Sequence, residues 1–165
     1  MKRTATIAAL ALLCAGCAAS AGSSGETATA AAPPAAAGAS AADVIAGRQA
    51  AFNLSGVAMG AMKSAIDANA APNTQAFNSR ALARWAHTLP RMFPEGTGAE
   101  AGVPTKAKPE IWSDRAGFQA KAAEYAAAAE RLNELARAGD APGFAAQWAV
   151  VRQTCQSCHT PYRAD

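Results

Sequence analysis

Large side chains are scarce in this sequence. Its apolar fraction is 51%, but three tryptophans, five phenylalanines and two tyrosines supply nearly all of the bulk, because much of the rest is alanine. A core that thin gains from a large apolar cofactor that fills the space its side chains leave. Long hydrophobic runs are missing. The apolar stretch from Thr4 to Leu13 is too short to span a bilayer as a helix. A strong charge imbalance is missing too. Fifteen Lys and Arg against twelve Asp and Glu give +3, and loss of the first 16 residues, which include Lys2 and Arg3, leaves +1. That gives no case for nucleic-acid binding. No acid–base constellation of the kind an enzyme needs is visible.

Cysteine is confined to two places. Cys14 and Cys17 lie near the N-terminus, and Cys155 and Cys158 near the other end. The second pair stands in Cys155-Gln156-Ser157-Cys158-His159. Two cysteines three apart with histidine directly after the second read as a c-type haem attachment site. Each sulfur can add to one haem vinyl group, and one helical turn between them suits the vinyl separation. His159 follows at once and can reach under the porphyrin to ligate iron. A thiol redox pair and half of a zinc site are the alternatives. The first expects a preceding strand, and none is patterned here. The second expects another close pair, and the only one sits at the N-terminus.

That N-terminus reads as an export signal. Met1-Lys2-Arg3 is basic, the apolar run follows, and Ala15-Gly16-Cys17 resembles a lipoprotein processing box. Cys14 stands where leucine is usual. Residues 1–17 are therefore expected to be a lipoprotein-type signal ending at an acylated Cys17, which would tether the protein to the outer membrane. Ordinary cleavage near Ala19 to Ala21, giving a soluble periplasmic protein, is the alternative. Both place the domain on the periplasmic side of the cell envelope. Residues 18–41 are Ala, Gly, Ser, Thr and Pro with one charge, Glu26, and read as a disordered linker.

The folded part is expected from 42 to 165 and all-α. Ile45, Phe52, Met59 and Ile66 recur every seven residues, with Arg48, Ser55 and Met62 on a neighbouring stripe. They predict a long helix over about 42–69, capped by Asp43. Gly56 and Gly60 permit close approach of a helix or a flat cofactor. A second helix is expected over 74–89, with Phe77, Leu82, Trp85 and Leu89 inward and His87 on the surface. A long Gly/Pro-rich loop follows, pinned by Phe93, Ile111 and Trp112, and Ser113 or Asp114 caps a third helix over 114–138. Gly139 stops it, Asp140 caps the fourth and Pro142 sits in its first turn. Phe144, Trp148, Val151, Cys155 and Cys158 then continue one face. The pattern is a four-helix bundle with the haem anchors on the inner face of the last helix.

Further points narrow the reading. Arg48-Gln49 in the first helix, Phe93-Pro94-Glu95-Gly96 and Lys108-Pro109-Glu110-Ile111-Trp112 in the loop, and Arg152 to Arg163 around the haem motif resemble a class II c-type cytochrome of the cytochrome c' family. The resemblance covers about 42–165. It implies an antiparallel four-helix bundle with one covalent haem c per chain inside it, bound through two thioethers at Cys155 and Cys158 with His159 as the iron ligand. It also implies a homodimer through the first two helices. Arg48 would lie near the haem propionates, and Arg163 near the His159 side of the iron. Two ionised propionates would make the processed chain slightly negative. Phe52 matches the residue over the iron's other face, where low-spin relatives of the cytochrome c-556 type carry methionine. A phenyl ring has no lone pair, so five-coordinate iron is expected. Met59 is the runner-up ligand, and Met62 is weaker. The implied roles are electron transfer with a small redox protein or membrane donor, binding of nitric oxide or carbon monoxide, or both. A sensor or structural bundle is a further alternative.

Overall fold

A computed structural model describes residues 38–165. The expected signal and almost all of the expected linker lie outside the described residues. Five α-helices follow in order: α1 Ala41–Asp67, α2 Ala76–Thr88, α3 Glu110–Ser113, α4 Arg115–Ala138 and α5 Ala141–Tyr162. α3 is a single turn within the long loop. The other four form the bundle, and no strand is present among the described residues beyond one isolated bridge between Ala107 and Arg163. None of these helices is long and apolar enough to cross a membrane.

α1 begins on a reciprocal cap. The Asp43 backbone N–H donates to Ser40 Oγ at 3.2 Å, and the Ser40 N–H donates to Asp43 Oδ2 at 3.1 Å. Ser40, not Asp43, is therefore the cap, and Asp43 is its partner three residues on. The helix thus starts at Ala41, one residue inside the expected linker. Ile45, Arg48 and Met62 are buried along its inward face, whereas Phe52, Ser55 and Met59 between them are not. That gap in the packing is where the cavity lies.

α2 buries Ser79, Leu82, Ala83 and Ala86, an i, i+3, i+4, i+7 stripe. Phe77 is out of phase with that stripe and 71% exposed, so it does not join the core face expected of it. Residues 74 and 75, expected to open this helix, belong instead to a 3-10 turn over Pro72–Gln75, which Pro72 opens. Ser79 Oγ donates to Asn133 Oδ1 at 3.2 Å and ties α2 to α4.

α4 holds the alternating stripe Phe118, Ala122, Tyr125, Ala129, Leu132 and Ala136, all buried. Asp114 caps it by accepting from Gly117 N–H at 3.1 Å, and its other oxygen accepts from Tyr162 Oη at 2.8 Å. Gly139, at φ 71°, takes the left-handed turn that ends α4. Asp140 then caps α5 through Gly143 N–H at 3.0 Å.

The loop from Leu89 to Pro109 is held by more than its aromatics. Phe93 and Ile111 are buried, and Trp112 Nε1 donates to the Pro94 carbonyl at 3.1 Å. Two arginines add the rest. Arg115 donates to the Phe93 and Pro90 carbonyls at 3.1 and 3.0 Å. Arg48, 2% exposed, donates to Thr97 Oγ1 (2.9 Å), the Thr97 carbonyl (2.6 Å), Thr105 Oγ1 (2.8 Å) and the Met92 carbonyl (3.4 Å). Its guanidinium also lies 4.5 Å from the centre of the Phe93 ring. Beyond Thr105 the chain runs to α5: Ala164 N–H donates to the Lys106 carbonyl and Lys108 N–H to the Tyr162 carbonyl, at 2.9 and 3.0 Å.

Two predictions follow from this packing. Arg48→Met should lower the unfolding free energy by about 3 kcal/mol, since several charge-assisted bonds are lost and buried loop acceptors are left without donors. Gln49→Ala, which removes one exposed bond to the Pro104 carbonyl, should cost under about 1 kcal/mol. Urea unfolding of both variants checks this, and equal costs would contradict it. Secondly, Tyr125 and Tyr162 are the only tyrosines, and burial raises both phenol pKa values. Tyr162 is pushed from 10.0 up to about 12 by burial and then by its bond to Asp114. A folded state with the higher pKa holds its proton longer than the unfolded chain. The stabilisation is complete below pH 10 and lost as pH rises towards 12. Titration at 295 nm should show almost no tyrosinate near pH 10 in the folded protein, whereas after denaturation both tyrosines should titrate with midpoints near pH 10.

Candidate haem site

Between α1, α4, α5 and the 104–107 segment lies a cavity of about 920 Å³. That is near the top of the range of about 300–1,000 Å³ for pockets that enclose small molecules. Its walls are apolar, with Leu89, Phe93, Ile111, Phe118 and Trp148 among them. Gly56 and Gly60 also line it, and a Cβ built on either would meet nothing within 4 Å. Their value here is bare backbone along a flat wall.

Cys155 and Cys158 lie one turn apart on α5, half-buried and not joined in a disulfide, and both line the cavity. Burial pushes both thiols up, and Cys158 reaches about 11 through burial first and the neighbouring Cys155 second. His159, at the exposed edge, is shifted down by desolvation and then by Arg163. The shift favours neutral imidazole, the form that ligates a metal. Arg163 Nη1 lies 3.3 Å from His159 Nδ1. Tyr125, which lines the cavity from α4, has its phenol raised by burial first and by neighbouring Cys155 second. The thiols, the imidazole and the phenol are thus all biased towards their neutral forms, as a low-dielectric interior demands.

Phe52 faces the same space. Its ring is 38% exposed and sits edge-on to Trp85 at 5.2 Å and 86°, with Phe93 at 6.4 Å. Met59 lines the cavity one heptad further along α1, and its carbonyl accepts from Trp148 Nε1 at 3.0 Å. Met62 is 0% exposed, packs in the core and does not line the cavity. His87 is on the surface, 2.9 Å from Glu130 Oε1.

Charge completes the picture. Arg48, Lys106, Lys121, Arg152 and Arg163 line the cavity, and no Asp or Glu of the described residues does. A ligand with a flat apolar body and anionic groups, two thiol-reactive positions and an iron suited to imidazole fits this set. Haem c has all of these. Among the described residues no cluster of three or more His, Cys, Asp or Glu is placed to hold a bare metal ion.

Every residue named from the sequence for the site (Arg48, Phe52, Cys155, Cys158, His159 and Arg163) lies on this one cavity. Sequence reasoning missed Ser55, Lys106, Lys121 and Tyr125 as wall residues. Tyr125 belongs to a regular inward stripe, and a stripe does not distinguish a packed partner from a cavity. Lys106 had no signal at all.

Comparison with known proteins agrees with the geometry. A family model described as Cytochrome C' matches residues 43–163. The chain is 36% identical over 96 residues to the cytochrome c' of Rhodospirillum rubrum, a match over 58% of this chain and 64% of that one. It is 34% identical over 117 residues to the cytochrome c' of Pararhodospirillum photometricum, covering 70% and 92%. Among solved structures, a cytochrome c' with ligand-controlled dimer dissociation superposes with a TM-score of 0.72 at 28% identity, over 78% of this chain and all of that one. A nitric oxide complex of a mutant of cytochrome c prime from Alcaligenes xylosoxidans gives 0.69 at 28% identity, over 77% and 98%. With a family match over 43–163, this four-helix, haem-binding chain belongs to the cytochrome c' family.

Proposed function

We propose that the chain carries one haem c, joined by thioethers to Cys155 and Cys158, with His159 as the protein's one iron ligand. It serves in electron transfer, in binding nitric oxide or carbon monoxide, or in both. The observation that carries this reading is the convergence of Cys155, Cys158, His159 and Phe52 on one apolar cavity. The relative solved with nitric oxide supports the gas-binding part. When bound, the group supplies one-electron redox chemistry and an open coordination position.

The chain's own residues set the terms. The two sulfurs anchor. His159 presents a neutral imidazole, and Arg163 stands beside Nδ1 and restrains how that ring is hydrogen-bonded. Phe52 has no lone pair to offer and acts as a shield. A small ligand must displace its ring from the edge-on contact with Trp85 and the tilted contact with Phe93, each of which contributes about 1 kcal/mol. The apolar wall admits neutral diatomics more readily than anions, which lose hydration on entry. Met59 cannot share Phe52's place, since two turns separate them by about 11 Å. Arg48 serves the site through the loop: its four terminal N–H groups are engaged there, and only Nε is left for a propionate.

The setting follows from the same reading. The domain works on the periplasmic side of a bacterial envelope, tethered through an acylated Cys17 or released as a soluble protein. Lys2-Arg3, the short apolar run and Ala15-Gly16-Cys17 support this. A homodimer through α1 and α2 is supported by Ala50, Leu54, Val57 and Ala61, an exposed 4-3-4 stripe on the outer face of α1, and by exposed Phe77 on α2.

Absorption spectra of the purified holoprotein test the proposal. High-spin bands in both oxidation states, with a large change on adding nitric oxide to the reduced form, are expected. A sharp low-spin α-band with a sulfur-to-iron charge-transfer band would make Met59 the second ligand instead. Phe52→Met should convert the spectrum to that low-spin form. Phe52→Ala should speed carbon monoxide association at least about tenfold if ring displacement costs at least about 1.4 kcal/mol; unchanged rates would remove the shield from the mechanism.

A further inference from the structure

We infer that the rim of this cavity is a docking surface for an acidic redox protein. The inference rests on the haem reading above and adds the kind of partner. Residues 38–165 carry 13 Lys and Arg against 11 Asp and Glu, so the domain is close to neutral. Its charge is not evenly spread. Five of the thirteen cations line the cavity and none of the eleven carboxylates does. Lys108 extends the cationic group past His159 and Arg163 into a smaller adjoining pocket, where Asp165 is the only carboxylate.

Most of these cations are uncommitted. The ion pairs among the described residues are Lys63–Asp67, His87–Glu130, Lys121–Glu124 and Arg131–Glu134. Lys106, Lys108, Arg152 and Arg163 are in none of them. Their backbone positions are fixed: the Lys106 carbonyl accepts from Ala164 N–H next to the Ala107–Arg163 bridge, Lys108 Nζ donates to the Thr160 carbonyl at 3.1 Å, and Arg152 stands on α5 one turn before Cys155. The two carboxylates of a bound haem neutralise two of these charges and Asp165 offsets a third. The rim stays net positive on a domain whose total charge is then about zero.

A neutral domain with one positive face orients an anionic partner before contact. Lys106, Arg152 and His159 are exposed and line the cavity, so the same face is the cofactor's shortest route to the surface. A partner seated there is both attracted and within reach of the electron. That combination points to an acidic redox protein. A basic partner would be repelled.

The test uses reduced holoprotein in a stopped-flow instrument with two oxidants of opposite charge. One electron leaves the reduced protein and converts hexacyanoferrate(III) to hexacyanoferrate(II), or tris(phenanthroline)cobalt(III) to its cobalt(II) form. Raising ionic strength from 0.01 to 0.15 M shortens the screening length from about 30 to 8 Å. The anionic oxidant should slow severalfold and the cationic one should speed up. The double variant Lys106→Glu/Arg152→Glu should slow the anionic oxidant roughly tenfold at low salt and speed the cationic one. A change in reduction potential would instead move both rates the same way, so opposite movements isolate the field. Arg80→Glu/Arg84→Glu, on α2 away from the cavity, makes the same change in net charge and should alter both rates much less than the rim variant does. Poly-L-glutamate should inhibit hexacyanoferrate reduction by the wild type and not by the rim variant.

Equal salt dependence for both oxidants, or an equal effect of the α2 reversals, would overturn the docking surface. Cosedimentation with phosphatidylglycerol vesicles at 0.15 M salt, lost in the rim variant, would also overturn it by making the rim a membrane contact. A purified protein without a haem spectrum would sink the haem reading before any rate is measured, which keeps the two failures apart.

Discussion

The guanidinium of Arg48 is the tie on which the cavity depends. It leaves α1 at the start of the unpacked stretch and reaches into the long loop, where two threonines and two carbonyls share its terminal donors. The loop then delivers residues 104–107 to the cavity wall and passes on to the end of α5, where the bond to Ala164 closes the circuit. α1, the loop and the haem-anchoring helix are thus linked without α1 having to pack fully on α5. A lysine could not replace this arrangement, because a single ammonium cannot span acceptors spread over Met92, Thr97 and Thr105. The surroundings of the tie also explain its cation–π contact: Phe93 covers the guanidinium, and a buried positive charge with no carboxylate bonded to it relies on carbonyl dipoles and an aromatic face for its stability.

The scarcity of large side chains has its consequence beside this tie. Where α4 offers Ala126, Ala128 and Ala129, helices can approach closely. Where α1 offers Phe52, Ser55 and Met59, they stand apart and a space of about 920 Å³ remains. An apolar void of this size would cost a bundle many van der Waals contacts. A flat, apolar group such as haem would restore them, and its attachment to α5 through Cys155 and Cys158, as proposed, would make filling the space part of maturing the fold.

Much of this was legible from periodicity and punctuation. The inward stripe of α4, the stop at Gly139, the cap at Asp140 and the position of the two cysteines each follow from local rules. So did the pinning of the loop by Phe93, Ile111 and Trp112. Two readings failed for identifiable reasons. Asp43 is a good capping residue, but Ser40 precedes it by three and takes the role, leaving Asp43 as the reciprocal partner. Phe77 is apolar, but small Ser79, Ala83 and Ala86 form the true contact face of α2, and a scan for large residues passes over them. The part Arg48 plays in tying down the loop had no signal in the sequence. Its engagement with Thr97 and Thr105 depends on contacts 49 and 57 residues away, and no local pattern carries such information. The cationic rim is of the same kind, because Lys106, Arg152 and Arg163 meet only after the loop has been tied down.

Rim and interior act on charge in opposite senses, and the difference sorts ligands by the step at which they are judged. Outside, the cations raise the local concentration of any anion, and the effect extends over about a Debye length. Inside, the neutral bias of Cys155, Cys158, His159 and Tyr125 marks a medium that penalises charge. A small anion is therefore drawn to the entrance and halted there by the cost of shedding its water. A neutral diatomic feels no field at the entrance and pays little within. A large acidic surface never has to enter: it stops at the rim, where attraction is greatest and the desolvation penalty is small. On the proposed function, one cavity would thus serve a gas and a protein partner without making them compete for the same atoms, with Phe52 governing the inner space and Lys106, Lys108, Arg152 and Arg163 the outer edge.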